Sequence, residues 1–193
     1  MARCNEYSLL LLAGGKSSRM GSPKASLCLD GKPFWAHMVE KAKLLGLSRI
    51  YISGSDPLCP DIQTVPDRYP DRGPLGGIHT GLLKIHTPYC LVLPVDAPLL
   101  PPEIPEKLMA YHETSADKNK VLIWEHGDRQ EPLIAIYPAA MAQSIEELIR
   151  LQSAPVFRAL DRWGYDRLRL ETDENQILNV NTPELYQKIT ELP

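Results

Sequence analysis

Apolar runs alternate with amphipathic segments along the chain, and each run has the length of one secondary-structure element. A continuous aliphatic run at 8–13 predicts a buried strand that ends at Gly14. Residues 33–45 predict a helix, because apolar residues recur there on one face and Gly46 follows. Further strands are predicted at 49–53, 63–65, 89–95, 121–124, 133–137 and 177–180, and further helices at 75–85, 102–112, 139–151 and from 182 onward.

Strands that alternate with helices of this length predict an α/β fold with three layers and a mostly parallel, Rossmann-like sheet. A chain of 193 residues is long enough to bury one continuous core, so we expect residues 1–193 to form a single domain. On such sheets, ligands bind beyond the carboxyl ends of the strands. The chemistry is therefore expected at residues that directly follow the predicted strands.

Composition excludes several classes of function. The net charge of −3 argues against nucleic acid as the main partner, because such proteins usually present a basic face. The apolar run near the N-terminus is too short for a signal peptide or a membrane span. The four cysteines form no Cys-x-x-Cys pair, which is typical of reduced thiols. We expect a cytoplasmic protein that binds neither membrane nor nucleic acid.

A glycine-rich loop with two cations follows the first predicted strand. Its relevant residues are Leu12, Ala13, Gly14, Gly15, Arg19, Gly21 and Lys24. The glycines let backbone N–H groups approach an anion closely, and the two cations suit charge-assisted bonds to phosphate oxygens. The spacing matches neither a Walker loop nor a dinucleotide-binding fingerprint. A plain strand-to-helix turn with solvated charges is the alternative.

Two carboxylates also stand near predicted strand ends. Asp96 follows the strand at 89–95, where it could hold Mg²⁺ or could cap the turn before Pro98. Asp67 precedes the Gly-Pro-Leu-Gly-Gly segment at 73–77, which begins a helix whose N-terminus carries partial positive charge. Asp67 could orient a base or a ribose, or could equally be a turn residue.

The remaining polar segments have ordinary structural interpretations as well. In Asn-Val-Asn-Thr-Pro-Glu at 179–184, the Thr-Pro pair is typical of a helix start. Asn179 and Asn181 flank an inward valine and could both face the site. Arg129 lies between two predicted strands, where a hairpin turn is the default interpretation, although its side chain could reach an anionic substrate.

Taken together, these motifs resemble the molybdenum cofactor guanylyltransferase (MobA) family, whose members build molybdopterin guanine dinucleotide. The matching motifs are Leu-Ala-Gly-Gly at 12–15, Arg-Met-Gly at 19–21, Lys24, Gly-Lys-Pro at 31–33, Gly-Pro-Leu-Gly-Gly at 73–77, Asp96 and the 179–184 segment. They occur in the same order over nearly the whole chain. The first motif belongs to the wider nucleotidyltransferase superfamily, and Gly-Pro-Leu-Gly-Gly at 73–77 together with the 179–184 segment narrows the resemblance to the molybdenum branch.

The resemblance implies an enzyme that uses Mg²⁺ to transfer GMP from GTP to molybdopterin, or to its metal-loaded form, and releases pyrophosphate. The residues that it implies at the GTP site are Leu12, Ala13, Gly14, Gly15, Lys24, Asp67 and Asp96. Asn179 and Asn181 would lie on the pterin side. Asp96 would also hold the metal, and it would act in catalysis together with Lys24 and Arg19. Cofactor insertion and delivery proteins are the implied protein partners.

Departures from the family pattern keep alternatives open. The loop between Gly21 and Lys24 is one residue shorter than the family spacing, and Ser53 stands where an asparagine would fit a nucleotide contact. Cytidylyl relatives usually carry Leu-Ala-Ala-Gly, so Gly14 favours guanine over cytosine. The enzymatic alternative is a cytidylyltransferase or a sugar-phosphate nucleotidyltransferase on the same fold. The non-enzymatic alternative is a regulatory nucleotide-binding module with a degenerate site.

Overall fold

A computed structural model describes residues 4–13, 26–54, 62–70, 72–151, 155–173, 176 and 179–191. Its strands are β1 (Tyr7–Leu12), β2 (Cys28–Leu29), β3 (Lys32–Pro33), β4 (Ile50–Ser53), β5 (Gln63–Val65), β6 (Tyr89–Pro94), β7 (Val121–His126), β8 (Arg129–Pro138) and β9 (Tyr165–Arg169). Its helices are α1 (Phe34–Leu44), α2 (Pro74–Lys84), α3 (Glu103–Thr114), α4 (Ala142–Arg150), α5 (Val156–Trp163) and α6 (Pro183–Thr190).

Seven of these strands form one sheet in the order β5–β4–β1–β6–β8–β7–β9. β8 runs antiparallel to both of its neighbours, and the other strands of this sheet run in one direction. The carboxyl ends of β1, β4, β6 and β7 therefore meet at the same edge, which we call the carboxyl edge. The mostly parallel Rossmann-like sheet predicted from the sequence is confirmed.

Helices cover both faces of this sheet. Alternate residues of β1 point to opposite faces, so Leu9 and Leu11 pack with α1 and α3, whereas Leu10 and Leu12 pack with α2, α4 and α5. Because both faces are covered, the central strands β1 and β6 are apolar except for Ser8. The predicted three-layer arrangement is confirmed. Among the described helices, none is long and apolar enough to cross a membrane.

Two elements near the C-terminus were not predicted. α5 is short and buries only Ala159 and Leu160, and β9 is an edge strand with no fully buried residue, so neither produces a strong apolar pattern. The predicted strand at 177–180 has its first two residues outside the described ranges, and Asn179 and Val180 belong to no strand.

A third apolar cluster lies at the carboxyl edge. Val95, which follows β6, packs there with Leu29, Phe34, Val180 and Ile189. The last two of these come from the chain around α6. The C-terminal helix is thus held against the strand ends where ligands bind on sheets of this kind.

His112 is a buried histidine on α3, on the side of the sheet that faces away from α2. Its Nδ1 atom hydrogen-bonds the Tyr7 hydroxyl at 2.8 Å, and the ring also stacks edge-on against Tyr89. Burial, assisted by the positive charge of Lys118, lowers the pKa of His112 from 6.5 to about 4. The folded protein therefore holds this imidazole neutral at pH values where the unfolded chain already protonates it.

We expect His112 to make the fold sensitive to acid. As the pH falls from 6.5 towards 4, the unfolded chain gains the proton first, so the unfolding free energy should drop by about 3 kcal/mol from this residue. Chemical denaturation between pH 4 and 7 measures the slope. His112→Gln should flatten it, whereas the exposed His86→Gln should not. Equal slopes for wild type and His112→Gln would contradict this origin of acid sensitivity.

Candidate active site

The ends of β1 and β6 lie side by side at the carboxyl edge. Leu12 pairs with Pro94, and the Leu12 carbonyl then accepts a hydrogen bond of 3.1 Å from the Val95 amide. This bond carries the pairing one residue past the end of β6. Asp96, the next residue, is thereby placed beside Leu12 and Ala13, as the sequence predicts for residues that follow parallel strands.

The 179–184 segment is attached directly to Asp96. The Val180 amide donates a hydrogen bond of 2.8 Å to the Asp96 carbonyl, and the Val180 side chain is fully buried. The inward valine between two amides is therefore confirmed, but the two amides differ. Asn181 is exposed, whereas Asn179 Oδ1 is buried and has no hydrogen-bond partner in the described part of the chain. Thr182 caps α6 through its side chain, as expected.

Asp67 lies against the first turn of α2. Its Oδ1 atom accepts a hydrogen bond of 2.8 Å from the Tyr69 amide. A Cβ atom placed on Gly76 would come within 2.8 and 2.9 Å of the two Asp67 carboxylate oxygens, so only a glycine allows this approach. Burial raises the pKa of Asp67, and the Tyr69 amide, His79 and Thr80 oppose that rise. Asp67 is both a turn residue and a group held at a helix N-terminus.

Gly77 brings three elements of the edge together. A Cβ atom on Gly77 would lie 3.1 Å from Ser53 Oγ and 3.3 Å from Leu12 Cδ2, so α2 packs tightly on the ends of β1 and β4. Ser53 is itself buried. Although the sequence interpretation left Ser53 out of the site, the structure places it between the Leu12 and Asp67 sides of the edge.

The structure adds one acidic residue that sequence interpretation missed. Glu131 on β8 is mostly buried and accepts a hydrogen bond of 3.0 Å from the Arg129 side chain. Burial raises the pKa of Glu131, the Arg129 guanidinium lowers it, and the Asp96 carboxylate raises it again. Glu131 therefore lies within electrostatic range of Asp96. The signal available in the sequence is its position two residues after Arg129, which puts both side chains on one face of the strand.

Four of the predicted site residues lie outside the described ranges, namely Gly14, Gly15, Arg19 and Lys24. Their contacts with phosphate stay predictions. In the described part of the chain, no three His, Cys, Asp or Glu side chains form a cluster that could hold a metal.

Asp67, Asp96 and Asn179 thus lie at the carboxyl edge of a sheet that helices cover on both faces, which is where α/β proteins bind their ligands. The model of the MobA-like NTP transferase domain matches residues 9–168. A probable molybdenum cofactor guanylyltransferase of Flavobacterium johnsoniae is 31% identical, over 89% of this chain and 90% of that protein. Another probable molybdenum cofactor guanylyltransferase, from Geobacillus sp. (strain WCH70), is 32% identical over 96% of this chain and 98% of that protein.

A solved structure agrees with these relatives. Molybdopterin-guanine dinucleotide biosynthesis protein A from Archaeoglobus fulgidus superimposes with a TM-score of 0.77 at 24% identity, over 95% of this chain and 97% of that chain. The chain belongs to the MobA-like NTP transferase family and is a nucleotidyltransferase enzyme. The family resemblance that the motifs predicted is confirmed.

Proposed function

We propose that this enzyme transfers GMP from GTP to molybdopterin, or to the molybdenum cofactor, and forms molybdopterin guanine dinucleotide. The observation that carries the proposal is the convergence of Asp96, Asp67 and Asn179 at one edge of the sheet, in a chain of this family. The names of the relatives supply the acceptor and the nucleotide. The product, which is labile, would pass in the cytoplasm to a cofactor insertion or delivery protein.

The chemistry proposed here needs positioning more than acid–base catalysis. An oxygen of the terminal phosphate of molybdopterin attacks the α-phosphorus of GTP, and the bond to pyrophosphate breaks. A phosphomonoester is already anionic at neutral pH, so no general base has to remove a proton. The contribution of the protein is then to align two anions and to offset their charge.

The residues present fit a magnesium ion. Asp96 supplies a carboxylate, and Asn179 supplies a buried amide oxygen that has no hydrogen-bond partner among the described residues. Both are hard oxygen donors of the kind that Mg²⁺ accepts. Asp96 would hold the ion, with Asn179 beside it. When bound there, Mg²⁺ would neutralise part of the triphosphate charge.

The proposed GTP contacts lie at the same carboxyl edge of the sheet. Leu12 ends β1 and Ala13 follows it, and both are proposed to lie under the nucleotide. Asp67 is proposed to offer a carboxylate to the base or the ribose. Gly14, Gly15, Arg19 and Lys24 are proposed to contact the phosphates. Asn181, which is exposed, is proposed to lie on the pterin side, and so is Asn179.

A panel of four nucleoside triphosphates tests this proposal. Each is incubated with molybdopterin and Mg²⁺, and pyrophosphate release is measured with and without a chelator. We expect release with GTP alone, and none once the metal is removed. Release with CTP, or with a sugar phosphate as acceptor, would instead establish one of the enzymatic alternatives. Nucleotide binding without any release would favour the regulatory module.

A further inference from the structure

The hairpin formed by β7 and β8 extends past the carboxyl edge. The ladder between β6 and β8 ends at the pair Val92–Ala135, but β8 begins well before Ala135, at Arg129. The same stretch of β8 pairs with the end of β7, up to the pair His126–Arg129. The tip of the hairpin therefore stands beyond the last residues of β6, on the side from which a ligand would approach Asp96.

Glu131 fixes the position of Arg129 on this hairpin. Glu131 is paired across the strands with Trp124, a fully buried residue whose Nε1 atom donates a hydrogen bond of 2.9 Å to the Leu170 carbonyl. Only 13% of the Glu131 side chain is exposed, and its Oε1 atom accepts the bond from Arg129 Nη2 at 3.0 Å. The anchored carboxylate thus holds a guanidinium that is otherwise on the surface.

Asp96 lies next to this pair. Beyond the Val92–Ala135 pair β8 passes through an irregularity and then pairs Glu131 with Trp124, so Glu131 lies past the end of the β6–β8 ladder, at the end of the sheet where Asp96 follows β6 by two residues. The rise that Asp96 causes in the pKa of Glu131 agrees with this proximity. An anionic acceptor that approaches Asp96 would meet two carboxylates here, so it requires a cation at the same place.

Arg129 has the chemistry that such an acceptor requires. Its side chain is 62% exposed, and one of its terminal nitrogens is held by Glu131. The planar guanidinium has five N–H donors, so the remaining donors are available for bidentate hydrogen bonding to a phosphate. Because Glu131 already orients the guanidinium, the Arg129 side chain loses less conformational freedom on ligand binding than an unrestrained arginine would.

We infer that Arg129 binds the terminal phosphate of the acceptor and that Glu131 is the positioning residue that orients its guanidinium. The inference rests on the proposed function, because it takes molybdopterin as the acceptor. It assigns the β7–β8 hairpin to the acceptor side of the site, opposite the α2 side that carries Asp67.

A matched pair formed by Arg167 on β9 and Glu125 on β7 provides the control. Arg167 Nη1 donates to Glu125 Oε2 at 3.0 Å, with side chains that are 53% and 13% exposed. Glu125 neighbours Trp124 in sequence and therefore points to the opposite face of the strand from Trp124 and Glu131. The Arg167–Glu125 pair thus matches the Arg129–Glu131 pair in chemistry and exposure but faces away from it.

The test measures equilibrium binding of molybdopterin, with and without its phosphate, to wild type and variants in the presence of GTP and a chelator. Phosphatase-treated molybdopterin provides the form without phosphate. Arg129→Ala should weaken binding of the phosphorylated form by about tenfold or more and leave the other form unchanged. Glu131→Ala should behave similarly, whereas Glu131→Gln, which keeps an oxygen acceptor, should recover most of the affinity. Arg167→Ala should bind both forms as wild type does, and all variants should bind GTP as wild type does.

The results distinguish failure of this inference from failure of the proposed function. A wild type that binds molybdopterin and releases pyrophosphate, together with an unchanged Arg129→Ala variant, overturns this inference alone. An equal loss of both acceptor forms in Arg129→Ala also overturns it, because the phosphate would then not be the group recognised. A wild type that binds GTP but neither binds molybdopterin nor releases pyrophosphate overturns the proposed function and this inference with it.

Discussion

Asp96→Ala is expected to lower kcat for GMP transfer by about a thousandfold, the scale of losing a preorganised electrostatic contact to the transition state. The fold should survive this change. The Val180 amide links the 179–184 segment to the Asp96 carbonyl, which alanine retains. The neighbours Val95 and Ala97 are buried and keep the turn in place.

Steady-state kinetics with Mg²⁺ and a thermal unfolding curve measure the two parts of this prediction. Asp166→Ala is a suitable control, because Asp166 lies near the start of β9, at the opposite end of the sheet, within 4.0 Å of Lys120. It should leave both kcat and the unfolding temperature near wild type. If Asp96→Ala retained near-wild-type turnover with Mg²⁺, the assignment of the metal to Asp96 would be wrong.

The part of the fold that could be predicted is the part with both faces buried. β1 and β6 are apolar except for Ser8 because helices cover them on each side, and a run of this kind is visible in sequence alone. β9 lies at the edge of the sheet, so its residues are partly or largely exposed and its apolar pattern is weak. α5 is only eight residues long and follows Pro155 without a polar cap.

The residues of the site, like the elements of the fold, could be predicted only in part from the sequence. Asp96 was found because ligands bind at the carboxyl ends of parallel strands, and β6 is such a strand. Glu131 was missed because β8 is antiparallel, so the end of β8 that reaches the carboxyl edge is its N-terminal end. The rule that ligands bind at the carboxyl ends of parallel strands therefore identifies Asp96 but not Glu131. The difference in burial between Asn179 and Asn181 depends on how the chain packs against Asp96, and the sequence alone does not determine it.

Gly76→Ala should have the second-largest effect, on the use of GTP. The new Cβ atom would lie 2.9 Å from the Tyr69 carbonyl oxygen and within 2.9 Å of both Asp67 carboxylate oxygens. The backbone carbonyl cannot rotate away, so either the start of α2 or the Asp67 segment must move. Overpacking of this kind costs about 1–3 kcal/mol, and the higher helix propensity of alanine offsets about 1 kcal/mol of it. We expect a modest loss of stability but a loss of about thirtyfold in kcat/KM for GTP, because displacement of Asp67 disturbs a nucleotide contact.

Two variants separate the steric effect from the binding effect. Gly77→Ala meets Ser53 Oγ at 3.1 Å and Leu12 Cδ2 at 3.3 Å, which are side-chain atoms able to yield, so its effect on kcat/KM should be smaller. Asp67→Ala combined with Gly76→Ala removes the carboxylate that the new methyl group would strike. The double variant should regain only part of the stability lost in Gly76→Ala, because the Tyr69 carbonyl still opposes the new methyl group, and it should not regain GTP use. If it regained both, the carboxylate of Asp67 would have no part in nucleotide binding, and α2 alone would define that side of the site.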